Sequence, residues 1–211
     1  MNPAVLPPPD CGICPRLAAF RHENRQRLSG AHNAPVPSFG DAGAPLLIVG
    51  LAPGLRGANR TGRPFTGDGA GDFLFPMLLD VGLAAGDYAA RSDDGLRLLR
   101  CRITNAVRCV PPVNRPTPAE VRGCNEFLRA EIASMPHLRA IIALGAVAHQ
   151  AVLRAKALPL PAFPFAHGAR HRLPDGLLLA DSYHCSRQNT NTGRLTPAMF
   201  RAVFESVLPL L

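Results

Sequence analysis

Residues 45–50, PLLIVG, form an unbroken apolar run closed by a proline and a glycine. A strand that is apolar at every residue has no face to offer water. It must be covered on both sides, as in the parallel sheets of α/β proteins. Three more segments agree: LRLLRCRITNAVRC at 96–109, which alternates and is β-rich, RAIIALG at 139–145 and GLLLADSYH at 176–184. Stretches with helical spacing separate them. Phe73, Met77, Leu78 and Val81 form one; Val121, Cys124, Leu128, Ile132 and Met135 form another; 146–156 is a third. Thr117-Pro118 with Glu120, and Thr196-Pro197 ahead of Met199, Val203, Val207 and Leu210, carry helix-start chemistry. Strands alternating with helices predict a three-layer α/β/α sandwich around a central, mostly parallel four-stranded sheet. At 211 residues the chain fits one domain, with 1–40 as an N-terminal arm containing a short helical pattern from Leu17 to Arg27.

In such folds ligands bind outside the carboxyl ends of the strands. Three unusual loops leave three of those ends, at 51–68, 105–116 and 184–195. The first, GLAPGLRGANRTGRPFTGDGAG from Gly50, is long and shaped, which in a compact domain points to function. It lacks the Gly-Lys-Ser/Thr of a phosphate-binding P-loop and the G-x-G-x-x-G of a dinucleotide fold. Its glycines allow backbone to approach a ligand closely. Arg56, Arg60 and Arg63 are suited to phosphates, and Phe65 offers a flat face. Asp68 is the only carboxylate between Asp41 and Asp72. It reads either as a base that positions water or as a cap on a helix beginning near Gly69.

Asn105, at the end of the second strand, is either a turn residue or an amide that reads a donor–acceptor edge. His184 ends the fourth strand and opens the polar run HCSRQNTNTGRLT, of a kind suited to a DNA backbone. His167 and His171 lie four apart, but without the Glu of an H-E-x-x-H pattern they do not read as a metal pair.

The formal net charge is +8, supplied by 22 arginines and the single Lys156 against 15 acids. Arg grips phosphate bidentately and stacks on bases, so a nucleic-acid partner rises in the ranking. No apolar run reaches the ~18–20 residues of a membrane span. The start carries no basic segment followed by an apolar one, so a cytoplasmic protein is expected. Disulfides are rare there, and six cysteines call for another role. Cys11 and Cys14 form a C-x2-C pair; Cys109 and Cys124 are the second candidate pair. Spacing alone allows zinc, which it slightly favours, an iron–sulfur cluster, or unrelated buried thiols. Cys124 also fits the inner face of its helix. Cys101 and Cys185 read as packing residues.

GLAPG (50–54), GANRTGRPFTGD (57–68), ITNAVRCVPP (103–112) and HCSRQNTNTGRLT (184–196) together resemble the uracil-DNA glycosylase superfamily, and within it the family-five branch. The resemblance spans residues 11 to about 200. It implies a monofunctional glycosylase that removes uracil, and other deaminated bases, from double-stranded DNA to begin base excision repair, working as a monomer. It implies a four-iron, four-sulfur cluster on Cys11, Cys14, Cys109 and Cys124, replacing the preference for zinc. It assigns base binding to Gly50, Ala52, Phe65 and Asn105, and catalysis to Asp68 and His184. Arg60, Arg63, Ser186, Arg187, Gln188, Asn189 and Arg194 are implied to meet DNA, with Arg187 and Gln188 at the position of a wedge. Other branches carry an acid or amide where Leu51 and Ala52 stand here. Neither of these can activate water, so the resemblance shifts that work to Asp68. The rival from another class is a cluster- or zinc-bearing nucleic-acid-binding protein without catalysis.

Overall fold

The computed structural model describes residues 6–211; the first five residues of the expected N-terminal arm lie outside them. Strand β1 (Leu46–Gly50) sits at the centre of a sheet flanked by β4 (Cys101–Asn105) and β5 (Ala140–Leu144). Beyond β5 come β7 (Leu178–Ser182) and the short β6 (Arg170–Arg172), giving the order β4-β1-β5-β7-β6. The first four are parallel, and all their residues are buried, as the unbroken apolar runs require. β6 pairs antiparallel with β7 at the edge. This fifth strand was not expected: its RHR sequence is half-exposed and carries no apolar signal.

Helices cover both faces. Leu46 and Ile48 point into one apolar layer with Leu74, Phe75 and Leu78 of α3 (Gly71–Asp80) and Phe200 and Phe204 of α7 (Pro197–Glu205). Leu47 and Val49 point into the other layer. There they meet Leu17 of α1 (Pro15–Arg27), Leu128 of α4 (Pro118–Ala133) and Val152 of α5 (Ala146–Ala155). The helix starts read from sequence are present. Thr117 and Glu120 form a reciprocal capping box, and the Thr196 hydroxyl accepts from the Met199 N–H.

Two readings change. The 96–109 stretch is not one strand. Arg97–Leu98 (β3) pairs with Ala84–Ala85 (β2) in a separate two-stranded sheet, and Arg100, at φ +56°, breaks the chain before β4 begins. The loops after β1 and β7 contain the short helices α2 (Ala58–Thr61) and α6 (Arg187–Asn191). Neither has enough turns to show a periodic apolar face. Among the described residues no helix is long and apolar enough to cross a membrane.

Candidate active site and cysteine cage

Gly50 and Asn105 are register partners at the carboxyl ends of β1 and β4. The Phe65 ring comes back over this end of the sheet. A Cβ on Gly50 would lie 2.7 Å from Phe65 Cε2 and would also overlap the Asn105 amide. Glycine is therefore what lets the ring and the amide meet over the strand end. Phe65 is buried with φ +54°, a conformation that costs a non-glycine residue about 1–2 kcal/mol. Its neighbours hold it there: α3 begins so close that a Cβ on Gly71 would strike the Phe65 carbonyl group. Asn105 is 3% exposed, yet its Oδ1 has no hydrogen-bond partner within the protein. A buried orphan of this kind costs about 1–3 kcal/mol and marks a group kept for a ligand.

Asp68 fills one of the two roles its sequence position allowed, that of a helix cap. Its Oδ1 accepts from the Ala70 and Gly71 N–H groups at 3.1 and 3.3 Å, capping the start of α3. Its Oδ2 turns away from the helix toward the loop after β1, where a Cβ on Gly54 would sit 2.7 Å from it and one on Gly57 would overlap it. The cap thus fixes the carboxylate while leaving one oxygen directed at the glycine loop.

His184 follows β7. Its Cβ lies 3.4 Å from where a Cβ on Gly145 would be, and its carbonyl accepts from Asn189 Nδ2 at 2.8 Å. The Phe65 and His184 rings lie 6.1 Å apart at 27°. Burial holds the His184 imidazole below its ordinary pKa, against the opposing pull of the Asp68 charge. A neutral ring keeps one N–H to donate and one nitrogen to accept. Cys185 is fully buried and its thiol is pushed up by that burial, so it packs as expected.

The arginines divide. Arg63, expected to meet DNA, is buried at 5% exposure. It forms a bidentate pair with Asp94 at 2.8 Å on both arms, donates to Thr66 Oγ1 at 2.7 Å, and lies over the Phe39 and Phe75 rings. It buttresses the loop from inside and has no surface to give a phosphate. Arg60, Arg187 and Arg194 are exposed as expected. The Arg187 side chain passes over Gly69, beside Asp68, and the Arg194 guanidinium lies 4.5 Å over the Tyr183 ring. Gln188 is exposed and the Ser186 carbonyl opens α6. Asn189, also expected at DNA, is spent on the His184 carbonyl and on accepting from Leu195 N–H through its own carbonyl at 3.0 Å. Ala52 packs against the apolar layer shared with Cys11 and Cys14, so its side chain is not part of the Phe65–Asn105 face. Arg27, at the end of α1, was not singled out from sequence. It lines an open recess with Leu55, Arg56 and Arg60, formed when the N-terminal arm folds against the loop after β1. Asp94 was missed as well. Both depend on partners more than 25 residues away in the chain, which no local pattern reports.

At the opposite face of the sheet, Cys11, Cys14, Cys109 and Cys124 line one recess with Leu17, Arg21, Val107 and Phe127. All are free thiols. Four cysteines around one recess have the donor set for either a single zinc or an iron–sulfur cluster. Buried Arg21 donates to Cys109 Sγ at 3.5 Å and to the Cys11 carbonyl at 2.9 Å, and the Arg108 N–H donates to Cys124 Sγ at 3.4 Å. Such donors suit sulfur that carries negative charge. Burial, helped by the neighbouring cysteines and opposed by Arg21 and Arg108, pushes the Cys109 and Cys124 thiols up to about 11 and about 12.

Comparison with known proteins places the chain in a family. The family described as the uracil DNA glycosylase superfamily matches residues 37–208. A type-5 uracil-DNA glycosylase of Thermus thermophilus is 48% identical over 198 residues, covering 92% of this chain and 90% of the relative. One from Mycobacterium bovis is 45% identical over 208 residues, covering 95% and 78%. A type-4 uracil-DNA glycosylase of Archaeoglobus fulgidus is 37% identical over 117 residues, covering 54% and 50%.

Proposed function

The chain belongs to the uracil-DNA glycosylase superfamily, and from that premise we propose that it is a monofunctional glycosylase that hydrolyses the N-glycosidic bond of uracil, and of other deaminated bases, in double-stranded DNA. We place it in the cytoplasm as a monomeric single domain opening base excision repair. The observation that carries this reading is the buried, unpartnered Asn105 Oδ1 beside the Phe65 ring at the carboxyl ends of β1 and β4. A flat base swung out of the helix has a face for Phe65 and an edge for Asn105.

As the glycosidic bond breaks, positive charge grows on the sugar and negative charge on the departing base. His184, held neutral by burial, donates to the base oxygen that gains charge. The Asp68 oxygen not used as a cap faces the glycine loop, where it can hold water and offset charge on the sugar. Leu51 and Ala52 supply no acid or amide. The only lysine, Lys156, is paired with Asp175 at the end of α5, so no lysine stands by for covalent attack on the sugar. Arg60, Arg187, Gln188 and Arg194 meet the DNA backbone and the gap left by the base; Ser186 opens α6, which holds Arg187 and Gln188, and Gly50 and Ala52 contribute through backbone. Cys11, Cys14, Cys109 and Cys124 would hold a four-iron, four-sulfur cluster, whose part would be structural, tying the start of α1 to α4 and to the segment after β4.

The test is incubation with a uracil-containing duplex and an undamaged control. Strand breaks that appear only in the uracil duplex, and only after alkali, support the proposal. Breaks without alkali would replace it with a lyase, and none in either case would leave a DNA-binding protein without catalysis.

A further inference from the structure

His149, His171 and Asp181 meet on the α5 side of the sheet edge, and the reaction proposed above uses none of them. Their three ligand atoms lie within 4.8 Å of one another. Asp181, on β7, is fully buried; its Oδ1 is 2.8 Å from His149 Nδ1, and its Oδ2 has no hydrogen-bond partner. His171, on β6, brings Nε2 to 3.5 Å from that Oδ2. We propose that these residues form a mononuclear zinc site, with His149 Nδ1, His171 Nε2 and the Asp181 carboxylate as ligands.

Tetrahedral zinc with bonds of about 2.0–2.1 Å places its ligand atoms roughly 3.4 Å apart. His149 Nδ1 lies 2.8 Å from Oδ1 and His171 Nε2 3.5 Å from Oδ2, so each carboxylate oxygen faces one imidazole and side-chain shifts would bring the three groups onto one ion. The surroundings have the character of a ligand shell. His149 Nε2 lies 2.8 Å from the Phe163 carbonyl. A ring donating from Nε2 to a carbonyl presents the Nδ1 lone pair inward, and such outer hydrogen bonds orient metal-binding histidines. His171 Nε2 donates to the Pro164 carbonyl at 3.1 Å, so an ion bound there would displace that proton. The Phe165 ring stands edge-on to His149, and Phe163 edge-on to His171, which keeps water from the ion on those sides. The His171 side chain is 14% exposed, which leaves a narrow way in for an ion and for water as a fourth ligand. Two imidazoles and one carboxylate with an open position suit zinc better than magnesium or calcium, which take oxygen ligands. The ion would bind α5, β6 and β7 together, just before β7 delivers His184. A proton shared between His149 and Asp181 can hold the same geometry, and the experiment separates the two.

The protein is purified with its iron retained and iron content recorded, then titrated with Zn²⁺, and in parallel with Co²⁺. One Zn²⁺ per chain is expected, with iron unchanged and a higher thermal midpoint. His171→Gln and Asp181→Asn should each weaken uptake by about 100-fold or more. Of the two, His171→Gln changes the more exposed side chain and tests the ligand without emptying the core. Co²⁺ should give weak visible bands without the strong near-ultraviolet absorption of cobalt–thiolate bonds. Failure of folded wild-type protein to take up Zn²⁺, undiminished uptake in both variants, or thiolate-type Co²⁺ absorption would each overturn the site.

Discussion

The loops after β1 and after β7 face each other across one crevice but are built differently. The first is stiffened from within. Arg63 and Asp94 lock it to the segment before β3, and Asn59 Nδ2 donates to Asn33 Oδ1 at 2.9 Å. The backbone of His32 and Asn33 also donates to the Arg60 and Asn59 carbonyls. Residues 63–66 are all buried. The second loop is exposed at 187–188 and 191–194 and bonds mainly to itself, apart from Asn189, the buried Leu195 and the Arg194–Tyr183 contact. Few buried contacts mean a low cost of local opening. In the proposed reaction the groups that need fixed geometry, Phe65 and Asp68, stand on the rigid loop, and those proposed to follow a deforming duplex stand on the soft one. His184 sits at the junction, on the last residues of the sheet side.

The largest effect that would break this comparison is at Asp68. Asp68→Asn keeps an oxygen for the α3 cap and removes the charge. Single-turnover excision should slow by roughly 10²–10⁴-fold with an unchanged thermal midpoint. Asp68→Ala should add about 1 kcal/mol of lost stability through the cap. If Asp68→Asn excises uracil at the wild-type rate, the carboxylate is a cap alone, and the rigid loop delivers only Phe65.

Arg63→Ala should cost about 3–5 kcal/mol of stability, because it leaves Asp94 buried and unpaired. Wild-type acid sensitivity carries the same signature. The Arg63 hydrogen bond, opposed by burial, holds the Asp94 carboxyl far below its usual range. Its stabilisation is therefore full above the unfolded value of about 3.9 and fades as pH falls toward the folded one. In Asp94→Asn that part of the acid transition should disappear in a circular-dichroism titration. A mild Arg63→Ala phenotype would mean that the loop is not held from inside.

At the junction, His184→Ala should slow excision by about 10²-fold if its bond forms chiefly to the charged leaving base. The pH profile gives the sign. Because burial lowers the imidazole pKa, kcat/KM should stay level as pH falls through the ordinary value near ~6.5, and drop only below it. A drop centred above that value would mean that the protonated ring is the active form.

On the soft loop, Arg187→Ala should leave the thermal midpoint in place and reduce the slope of log affinity against log salt by about one. The contrast with Arg63→Ala, all stability and no slope, is the comparison in its simplest form.

What could be read beforehand follows from the range of the interactions. β1, β5 and β7 were legible because burial on both faces demands apolar runs, and α4 because Thr117, Pro118 and Glu120 state its start locally. β6 was not, since an edge strand with one partner needs no apolar pattern. Asp68 was visible as an isolated carboxylate in a glycine loop, but its double use as cap and free oxygen depends on where Gly54 and Gly57 return in space. Arg63 was misread because nothing nearby distinguishes an arginine paired with Asp94, 31 residues on, from one awaiting phosphate. Cys11, Cys14, Cys109 and Cys124 were identified as a set by resemblance. That all four line one recess depends on how α1 and α4 pack, which no local pattern reports.

The smallest effect concerns the third loop, after β4. Val113 is 84% exposed at φ +50°, and Asn114 follows at φ +56°. A β-branched residue pays about 1–2 kcal/mol for that backbone shape, and no burial offsets it. Glycine removes the strain but adds freedom to the unfolded chain, worth about 0.5–1 kcal/mol the other way. Val113→Gly should therefore stabilise the protein by up to about 1 kcal/mol, a rise of roughly 1–4 °C for a chain of this size. The loop touches the rigid side directly, since the Leu55 N–H donates to Asn114 Oδ1 at 3.4 Å. A higher midpoint with unchanged excision would assign Val113 to the scaffold of the rigid half. A higher midpoint with slower excision from duplex but not from single-stranded DNA would mean that the strain is kept for contact with the duplex, placing this loop with the one after β7.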